Sequence, residues 1–391
     1  MPARRRSAHS LNHDLHSNAA LEVQIPNRGL VAVARARLEV NLSAVAGNWR
    51  ELDGMSGTRT TTGAVVKADA YGLGAPEIVN ALIGAGARDF FVAMAEEGLE
   101  LGDLPESCRV FVFSGYMKGD KELLREHGFV PVLCSPGQVD RFLGELPGRD
   151  FALQLNTGMN RLGIPLTWFS EHRQRILAFR PLLIVSHLAC ADEPGHRMNQ
   201  MQLERFIRAT GESAVPRSLA ATGGILLGPD YHFDHCRPGI GIYGGLPFES
   251  GRNVVDLHLP VVQVQEISAG EAVGYGLDWR AGRQTRIATV LAGYADGVLR
   301  CLGNGTAVHC GEIACPVVGR ISMDLVTVDV SELDSRPDHL QLLGPHQTID
   351  ALADDASTIG YEVLTRLGRR FERAYTNDMK KPERREAEFQ S

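Results

Sequence analysis

One lysine stands at the end of a short apolar run in the stretch AVVKADAYGLGA, residues 64–75. A lysine amine can form a Schiff base with a carbonyl group, and burial favours this reaction because it lowers the lysine pKa. An acid, a tyrosine and two glycines follow Lys67 directly. The stretch poses two alternatives, a surface lysine at a strand end or a reactive amine in a site.

Cationic side chains, hydroxyls and glycines follow several other β-like runs. They include Arg161 in TGMNRLG, His187 and Asp192 in SHLACADE, Thr222 in ATGG, and Arg237 before Gly239 in RPGIG. Glycine turns and helix N-termini bind phosphate through backbone N–H groups. Brought together, these residues would suit an anionic, ring-shaped ligand that carries a phosphate.

The elements that must position these residues alternate between about residues 60 and 245. We expect β-like runs at 64–68, 90–93, 110–114, 130–134, 151–155, 182–187, 218–222 and 234–243, the last interrupted by Pro238. Amphipathic helices are expected between them, as in APEIVNALIGAGA, SPGQVDRFLGEL with Ser135 as N-cap, and MNQMQLERFIRATG. About eight βα units predict a closed (β/α)8 barrel with its functional residues at the carboxyl ends of the strands. A doubly wound sheet is the alternative, but it usually has fewer strands, and no G-x-G-x-x-G opens a first helix.

The chain changes character after about residue 255. VVQVQEISAG, TRIATVLAGY and DLVTVDV are typical of strands separated by Gly-containing turns, which predicts an all-β domain with one helix at about 358–367. LEVNLSAVAGNWREL is expected to start as a strand, a candidate partner for the β domain, and to become a helix. We therefore predict a disordered extension over 1–30, a barrel over 31–258, a β domain over 259–378 and a disordered tail over 379–391.

Bulk composition argues against several classes of protein. The 391 residues carry a formal net charge of -7, so nothing in their charge attracts nucleic acid or an anionic membrane. No apolar run approaches the ~18 residues of a membrane span, and the first thirty residues lack the apolar core of a secretory signal. The seven cysteines show neither a disulfide framework nor a zinc spacing. We expect a cytoplasmic protein without a metal site.

The order of the motifs resembles that of one enzyme family. VVKADAYGLG, TGMNRLG, SHLACADE, RPGIGIYG, VGYG, GYADG, GRISMD and IGYEVLTRLGRR follow one another between about residues 35 and 375. In this order they resemble the fold-type III, pyridoxal-phosphate-dependent alanine racemases, whose fold is a barrel followed by a β domain. The resemblance implies interconversion of L- and D-alanine, supply of D-alanine for peptidoglycan, and a homodimer with shared active sites.

The resemblance also implies roles at the reaction centre. Lys67 would hold pyridoxal phosphate (PLP) through a Schiff base and then act as one base, while Tyr275 of VGYG, from the partner subunit, would act as the other. A racemase needs acid/base groups on both faces of a planar carbanion, because one removes a proton and the other returns one. Arg237 would donate a hydrogen bond to the pyridine nitrogen, and His187 would be hydrogen-bonded to Arg237.

The remaining positions are implied to bind the phosphate or the substrate, or to line the entrance. The phosphate would be held by Tyr71, Thr222, Tyr361 and the backbone of Gly239 and Ile240. The substrate would be held by Arg161 and by the backbone N–H of Met323 across the dimer interface, and Asp192 and Tyr294 would line a narrow entrance. A small entrance and pocket would favour alanine over amino acids with bulky side chains.

The chain departs from the family pattern near Arg161. Gln154 and Asn156 stand where many members have a lysine and an acid. The Asn156 amide can accept a hydrogen bond from Arg161 but supplies no negative charge. Ala221 and Ser322 replace a frequent asparagine and a frequent cysteine. Lys67 and Tyr275 are both retained, which indicates that catalysis is retained.

Three alternatives stay open at this stage. A racemase of another small amino acid, such as serine, would need the same two bases. A fold-related decarboxylase is disfavoured, because the VGYG tyrosine has no use in a one-sided reaction. A non-catalytic PLP-binding protein is a single barrel and would not need the β domain that carries Tyr275 and Met323.

Overall fold

The computed structural model describes residues 35–211 and 213–377. The extension expected over 1–30 and the tail expected over 379–391 lie outside the described residues. Two eight-stranded sheets, one parallel and one mixed, organise the described part of the chain.

The first part of the chain alternates strands and helices. It begins with β1 (Arg37–Asn41) and α1 (Leu42–Ser56). The strands that follow are β2 (Thr61–Thr62), β3 (Ala64–Val65), β4 (Asp89–Val92), β5 (Arg109–Val112), β6 (Val130–Leu133), β7 (Ala152–Asn156), β8 (Ile164–Pro165), β9 (Leu183–Val185), β10 (Arg217–Ser218) and β11 (His235–Cys236). The helices among them are α2 (Lys67–Gly72), α3 (Ala75–Ala85), α4 (Ala95–Leu99), α5 (Lys121–His127), α6 (Pro136–Glu145), α7 (Leu166–Leu177), α8 (Arg197–Thr210) and α9 (Thr222–Leu226).

Backbone hydrogen bonds between neighbouring strands close this part into a barrel. Parallel pairing runs in the order β3-β4-β5-β6-β7-β9-β10. The segment that contains β11 closes the ring, since Arg237 N donates to Ala220 O on one side and Val65 N donates to Pro238 O on the other, each at 2.9 Å. The (β/α)8 barrel predicted from the βα alternation is therefore confirmed.

The last barrel strand is much shorter than expected. The run at 234–243 was predicted as one interrupted strand, but β11 ends at Cys236 and a 3-10 helix spans Ile240–Tyr243. Pro238 still accepts from Val65 N but has no N–H to donate, and the chain then turns into the 3-10 helix. As a result, Arg237 and Gly239 line the cavity at the barrel's upper end instead of extending the sheet.

The second part of the chain is rich in strands. Its strands are β12 (Val255–Ile267), β13 (Ala272–Val273), β14 (Trp279–Arg280), β15 (Thr285–Leu291), β16 (Ala307–Cys310), β17 (Ile313–Pro316), β18 (Leu325–Asp329), β19 (His339–Leu343) and β20 (Glu372–Thr376). Its α-helices are α10 (Ile349–Asp355), which we did not predict, and α11 (Gly360–Arg366). The main path of the sheet runs β17-β16-β19-β12-β1-β20, and β15 pairs with β12 and β18. β1 thus joins the β domain, antiparallel to β12 and parallel to β20.

A hydrogen-bonded cluster around the buried Asp89 joins three strands at the amino-terminal end of the barrel. Asp89, only 1% exposed, accepts two hydrogen bonds of 2.7 Å from Arg109 and one of 2.9 Å from His235. Burial opposes ionisation of Asp89, but these hydrogen bonds outweigh it and lower the carboxyl pKa. The cluster therefore ties β4, β5 and β11 together at the end opposite the cavity.

Candidate active site

A cavity of about 820 Å³ opens at the carboxyl ends of the barrel strands, a size typical of small-molecule sites. It is lined by ten of the predicted site residues: Lys67, Tyr71, Arg161, His187, Asp192, Thr222, Arg237, Gly239, Ile240 and Tyr361. The other three, Tyr275, Tyr294 and Met323, are on the exposed surface of the β domain. One chain therefore assembles most of the predicted site in one place.

The backbone after Lys67 forms a left-handed turn. The φ angles of Ala68, Asp69, Ala70 and Tyr71 lie between 51° and 59°. The left-handed conformation costs roughly 1–2 kcal/mol per non-glycine residue, so surrounding contacts must stabilise four in a row. At the far end of the turn, Asp69 accepts hydrogen bonds from Gly74 N and Ala75 N. The strand predicted over 64–68 was wrong beyond Val65, because this turn takes its place.

Lys67 itself lines the open cavity. Its side chain is exposed to the cavity rather than enclosed in the core. The surrounding protein nevertheless desolvates the amine and, with help from the nearby positive charge of Arg161, lowers the Lys67 pKa, while Glu97 opposes the shift. A lowered pKa enlarges the fraction of neutral amine, which is the form that attacks a carbonyl group or accepts a proton.

Arg237 is the most deeply buried cation of the cavity. It is 3% exposed and donates to Ser186 O at 2.7 Å and to Ser218 Oγ. Burial lowers the Arg237 pKa to about 10, which leaves the guanidinium protonated at neutral pH. The hydrogen bond to His187 that the resemblance implies stays a prediction, since the guanidinium has N–H donors beyond the two that meet these serine oxygens. Held in this way, the guanidinium has a fixed position at the wall of the cavity.

His187 lies among cations. Burial, followed by the charges of Arg237 and Arg161, lowers its pKa to about 3. The ring is therefore neutral at physiological pH and can stack or accept a hydrogen bond without adding charge.

Hydroxyl and amide groups converge at one end of the cavity. Thr222 Oγ1 accepts from Gly239 N at 3.1 Å and from Gly241 N at 3.2 Å. A Cβ on Gly239 would lie 2.5 Å from Tyr71 Oη, so the absence of a side chain lets this hydroxyl approach the backbone. Burial and the neighbouring Tyr361 raise the Tyr71 pKa, so its hydroxyl remains a donor. Hydroxyl and backbone N–H groups that lie this close together fit a phosphate group.

PLP fits the cavity as a whole. Its phosphate would meet the hydroxyl and amide end, its aldehyde would meet the Lys67 amine, and its ring nitrogen would meet the Arg237 guanidinium. Tyr71 is held for this role by its neighbours, since its ring centroid lies 4.5 Å from that of Tyr243 and 5.9 Å from that of Tyr361. The chemistry of the donors thus suits the phosphate, the aldehyde and the ring nitrogen of the cofactor.

A buried polar network behind the cavity was missed at the sequence level. Gln202, fully buried, donates to His187 O at 2.8 Å and to Thr157 Oγ1 at 3.1 Å, and it accepts from Ala189 N at 2.8 Å. Thr157 also hydrogen-bonds Ser186 Oγ at 2.8 Å. The network ties α8 to the ends of β7 and β9, which carry the loops of Arg161 and His187. Its signal in the sequence was a glutamine on the apolar face of an amphipathic helix.

The loop that carries Arg161 is held by Asn156. Asn156 Oδ1 accepts from Gly158 N at 3.0 Å and Asn160 N at 3.1 Å, while Nδ2 donates to Asn160 Oδ1. The Asn156 oxygen, which could have accepted a hydrogen bond from Arg161, is used by the backbone of the loop instead. Gln154 is buried and lines the cavity below this loop.

The three remaining site residues lie on an exposed face of the β domain. Tyr275 is 72% exposed, Met323 53% and Tyr294 44%. Tyr294 N donates to Ser322 O at 3.1 Å, so the segments that carry Tyr294 and Met323 are adjacent. Arg370 binds both Asp296 and Asp324 and holds these two segments together. This face presents large side chains to solvent without filling the cavity of its own chain.

The described residues were also compared with the requirements of metal sites, membrane-spanning helices and disulfides. Within 35–211 and 213–377, no group of three or more His, Cys, Asp and Glu side chains could hold a metal ion. In the same residues, no helix has the length and apolar character needed to cross a membrane. All seven cysteines are free thiols.

Comparisons with known proteins agree with this geometry. The alanine racemase N-terminal domain family matches residues 40–247, and the alanine racemase C-terminal domain family matches residues 254–375. An alanine racemase of Cereibacter sphaeroides is 54% identical over 347 residues, which cover 88% of this chain and 99% of the relative. An alanine racemase of Rhizobium meliloti is 42% identical and covers 88% of this chain and 97% of its own length.

Solved structures give the same result. The alanine racemase from Bartonella henselae with covalently bound pyridoxal phosphate matches with a TM-score of 0.84 at 36% identity, over 88% of this chain and all (100%) of that one. The biosynthetic alanine racemase from Pseudomonas aeruginosa matches with a TM-score of 0.82 at 34% identity, over 88% and 99% of the two chains. The matching domains include every predicted site residue, from Lys67 to Tyr361. By its fold, its cavity and these similarities, the chain belongs to the alanine racemase family.

Proposed function

We propose that this protein is a PLP-dependent alanine racemase that works as a homodimer in the cytoplasm and supplies D-alanine for peptidoglycan. The observation that carries the proposal is the arrangement around Lys67. Its amine, with a lowered pKa, shares one cavity with a set of phosphate-type donors and a buried guanidinium. The free thiols fit a reducing compartment such as the cytoplasm.

Different residues of the cavity would hold different chemical groups of the cofactor. Lys67 Nζ would hold the aldehyde carbon, and Arg237 would donate to the ring nitrogen. The phosphate would be held by Tyr71, Thr222, Tyr361 and the backbone of Gly239 and Ile240. Bound there, PLP would supply the electron-withdrawing system that makes the Cα–H bond of an amino acid acidic.

Two side chains would move the proton. Lys67 Nζ, when neutral, would take the Cα proton from one enantiomer on one face of the substrate. Tyr275 Oη of the partner subunit would give a proton to the opposite face, and the roles would reverse in the other direction. The exposure of Tyr275 supports this assignment, because a side chain outside its own cavity is available to a second chain.

The substrate would be selected by charge and by size. Arg161 lines the cavity beside Lys67 and would attract the carboxylate, together with the Met323 backbone N–H of the partner subunit. Asp192 and the partner subunit's Tyr294 would narrow the entrance. A narrow entrance favours alanine over larger amino acids, and the β domain argues against a non-catalytic PLP-binding protein, which would not need it.

A mixing experiment tests the shared site. Lys67→Ala and Tyr275→Phe should each abolish racemisation as pure homodimers. In a mixed dimer, one site carries both changes and the other carries neither. After random reassociation, about one quarter of the wild-type activity should return, because half of the dimers are mixed and each has one intact site. No recovery, in a sample where mass spectrometry shows mixed dimers, would contradict a site shared between subunits.

Isotope exchange tests the direction of each base. In deuterium oxide, Tyr275→Phe should exchange the Cα hydrogen of L-alanine roughly 10²- to 10⁴-fold more slowly than the wild type. Exchange of the Cα hydrogen of D-alanine should persist, because it uses Lys67. Equal loss from both enantiomers would contradict the two-base assignment. A panel of L-amino acids that includes serine then tests substrate choice, and a faster rate with serine would favour the alternative racemase.

A further inference from the structure

We propose that Glu97 is a positioning residue, whose carboxylate fixes the left-handed turn that aims Lys67 into the cavity. The role assigned to Lys67 rests on the proposed function. The position of Glu97 does not, because it follows from hydrogen bonds within the chain.

Glu97 joins the lysine turn to the neighbouring βα unit. One carboxylate oxygen, Oε1, accepts from Ala68 N at 3.0 Å, directly after Lys67. The other, Oε2, accepts from Ala93 N at 2.7 Å, just after β4. Both oxygens of one side chain thus bind two backbone amides that lie at the carboxyl ends of adjacent strands. Hydrogen bonds to an ionised carboxylate are among the stronger ones in proteins.

The lysine turn is a segment that needs such support. Ala68 is the first of its four left-handed residues, none of them a glycine. Asp69 holds the far end through Gly74 N and Ala75 N, whereas Glu97 holds the beginning. Strained backbone of this kind persists when surrounding contacts determine it and is concentrated at functional sites. Here the strained residues lie immediately beside the reactive amine.

The charge of Glu97 also acts on Lys67. It raises the Lys67 pKa and so opposes the lowering by burial and by Arg161. Removal of this charge should therefore shift the amine pKa further down. Glu97 would then influence both the direction of Lys67 and the pH at which its amine becomes neutral.

The experiment uses three variants of the full chain. Glu97→Gln removes the charge and one of the two hydrogen bonds, because its NH2 group cannot accept, whereas Glu97→Ala removes both bonds. Glu96→Gln is the matched control, because Glu96 is the exposed neighbour on the same helix. If Glu97→Ala does not fold, Glu97→Gln carries the test alone.

Two readouts need no racemase activity. Amide hydrogen exchange at residues 68–72 of the cofactor-free protein should be faster in Glu97→Ala by about tenfold or more, since loss of a hydrogen bond to a charged group weakens local structure. Labelling of the Lys67 amine by an acylating reagent, followed against pH, should have a lower midpoint in Glu97→Gln. The control should match the wild type in both. A purely structural role would not move the labelling midpoint.

A third readout reports on positioning directly. The rate of PLP attachment to Lys67, trapped by borohydride reduction and measured by mass, should fall by about tenfold in Glu97→Ala. Amide hydrogen exchange at the wild-type rate in Glu97→Ala would overturn the proposal. An unchanged rate of PLP attachment in Glu97→Ala, despite faster amide exchange, would overturn it as well. A wild type that attaches PLP but does not racemise alanine would refute the proposed function and leave this inference standing.

Discussion

A single methyl group at Gly239 gives a sharp test of the phosphate end of the cavity. The Cβ of Gly239→Ala would lie 2.5 Å from Tyr71 Oη, and Cβ atoms in proteins essentially never approach another heavy atom within 3.0 Å. The hydroxyl must therefore move by at least about half an ångström. Tyr71 is packed between Tyr243 and Tyr361, and Tyr243 is itself fixed by its hydrogen bond of 3.0 Å to Val65 O. The open direction is into the cavity, where the phosphate would lie.

The magnitude follows from this geometry. Overpacking of this kind costs about 1–3 kcal/mol, which corresponds to roughly 5- to 150-fold weaker binding when the cost falls on the bound state. The displaced hydroxyl can relax into the cavity when no cofactor is present. We therefore expect a large loss of PLP affinity and a much smaller change in the melting temperature of the cofactor-free protein.

A double variant isolates the contact. Without the hydroxyl, the next Tyr71 atom, Cζ, lies 3.5 Å from the added Cβ, which is an ordinary van der Waals distance. Gly239→Ala should therefore cost little in a Tyr71→Phe background, although Tyr71→Phe alone should weaken the proposed phosphate binding. Gly84→Ala is the matched control, because nothing lies within 4 Å of its added Cβ. PLP titration of the four proteins of the cycle, followed by absorbance, measures the coupling.

Two outcomes would refute this reasoning. Affinity of Gly239→Ala within twofold of the wild type would mean that Tyr71 can move without loss of the phosphate. An equal loss from Gly239→Ala in the wild-type background and in the Tyr71→Phe background would mean that the methyl group acts through something other than the hydroxyl.

Two further predictions concern stability. Asp89→Asn should lower the free energy of unfolding by about 1–3 kcal/mol, because it removes the buried charge that Arg109 and His235 bond, whereas Asp103→Asn at an exposed position should be near neutral in urea unfolding. The His187 pKa is about 3 in the folded protein against an ordinary value of 6.5, so as the pH falls below 6.5 the unfolded chain binds a proton that the folded chain does not. Stability of the cofactor-free protein should therefore decrease from pH 7 to pH 5, and His187→Gln should flatten this part of the profile; parallel profiles would contradict the lowered pKa.

Much of the barrel could be predicted because its pattern is local. Strands buried on both faces appear as short apolar runs, and each amphipathic helix repeats its apolar residues every three or four positions. The Ser135 N-cap of α6 was predictable for the same reason, and its hydroxyl accepts from Gln138 N at 3.3 Å. The last barrel strand was predicted too long because residues 239–243 resemble a strand in composition, yet the chain forms a 3-10 helix after Pro238, which has no N–H to donate.

The sequence by itself determined the kinds of chemistry that this protein can carry. A lysine after a buried strand, a run of Gly-containing turns and two tyrosines in fixed motifs all depend on residue type and order, which are visible without coordinates. The same order also indicated the alanine racemase family and the two domains, because βα alternation and Gly-separated strands are local patterns.

Only the tertiary structure decided which of these groups meet. The hydrogen bond from Ala68 N to Glu97 joins residues 29 positions apart, and the serine oxygens that hold Arg237 lie at the ends of two different strands. Three of the four left-handed residues after Lys67, two alanines and a tyrosine, have no left-handed preference, so no local rule predicts the turn. Hydrogen bonds and short-range charge effects act over a few ångströms, and those distances arise only when the chain closes the barrel.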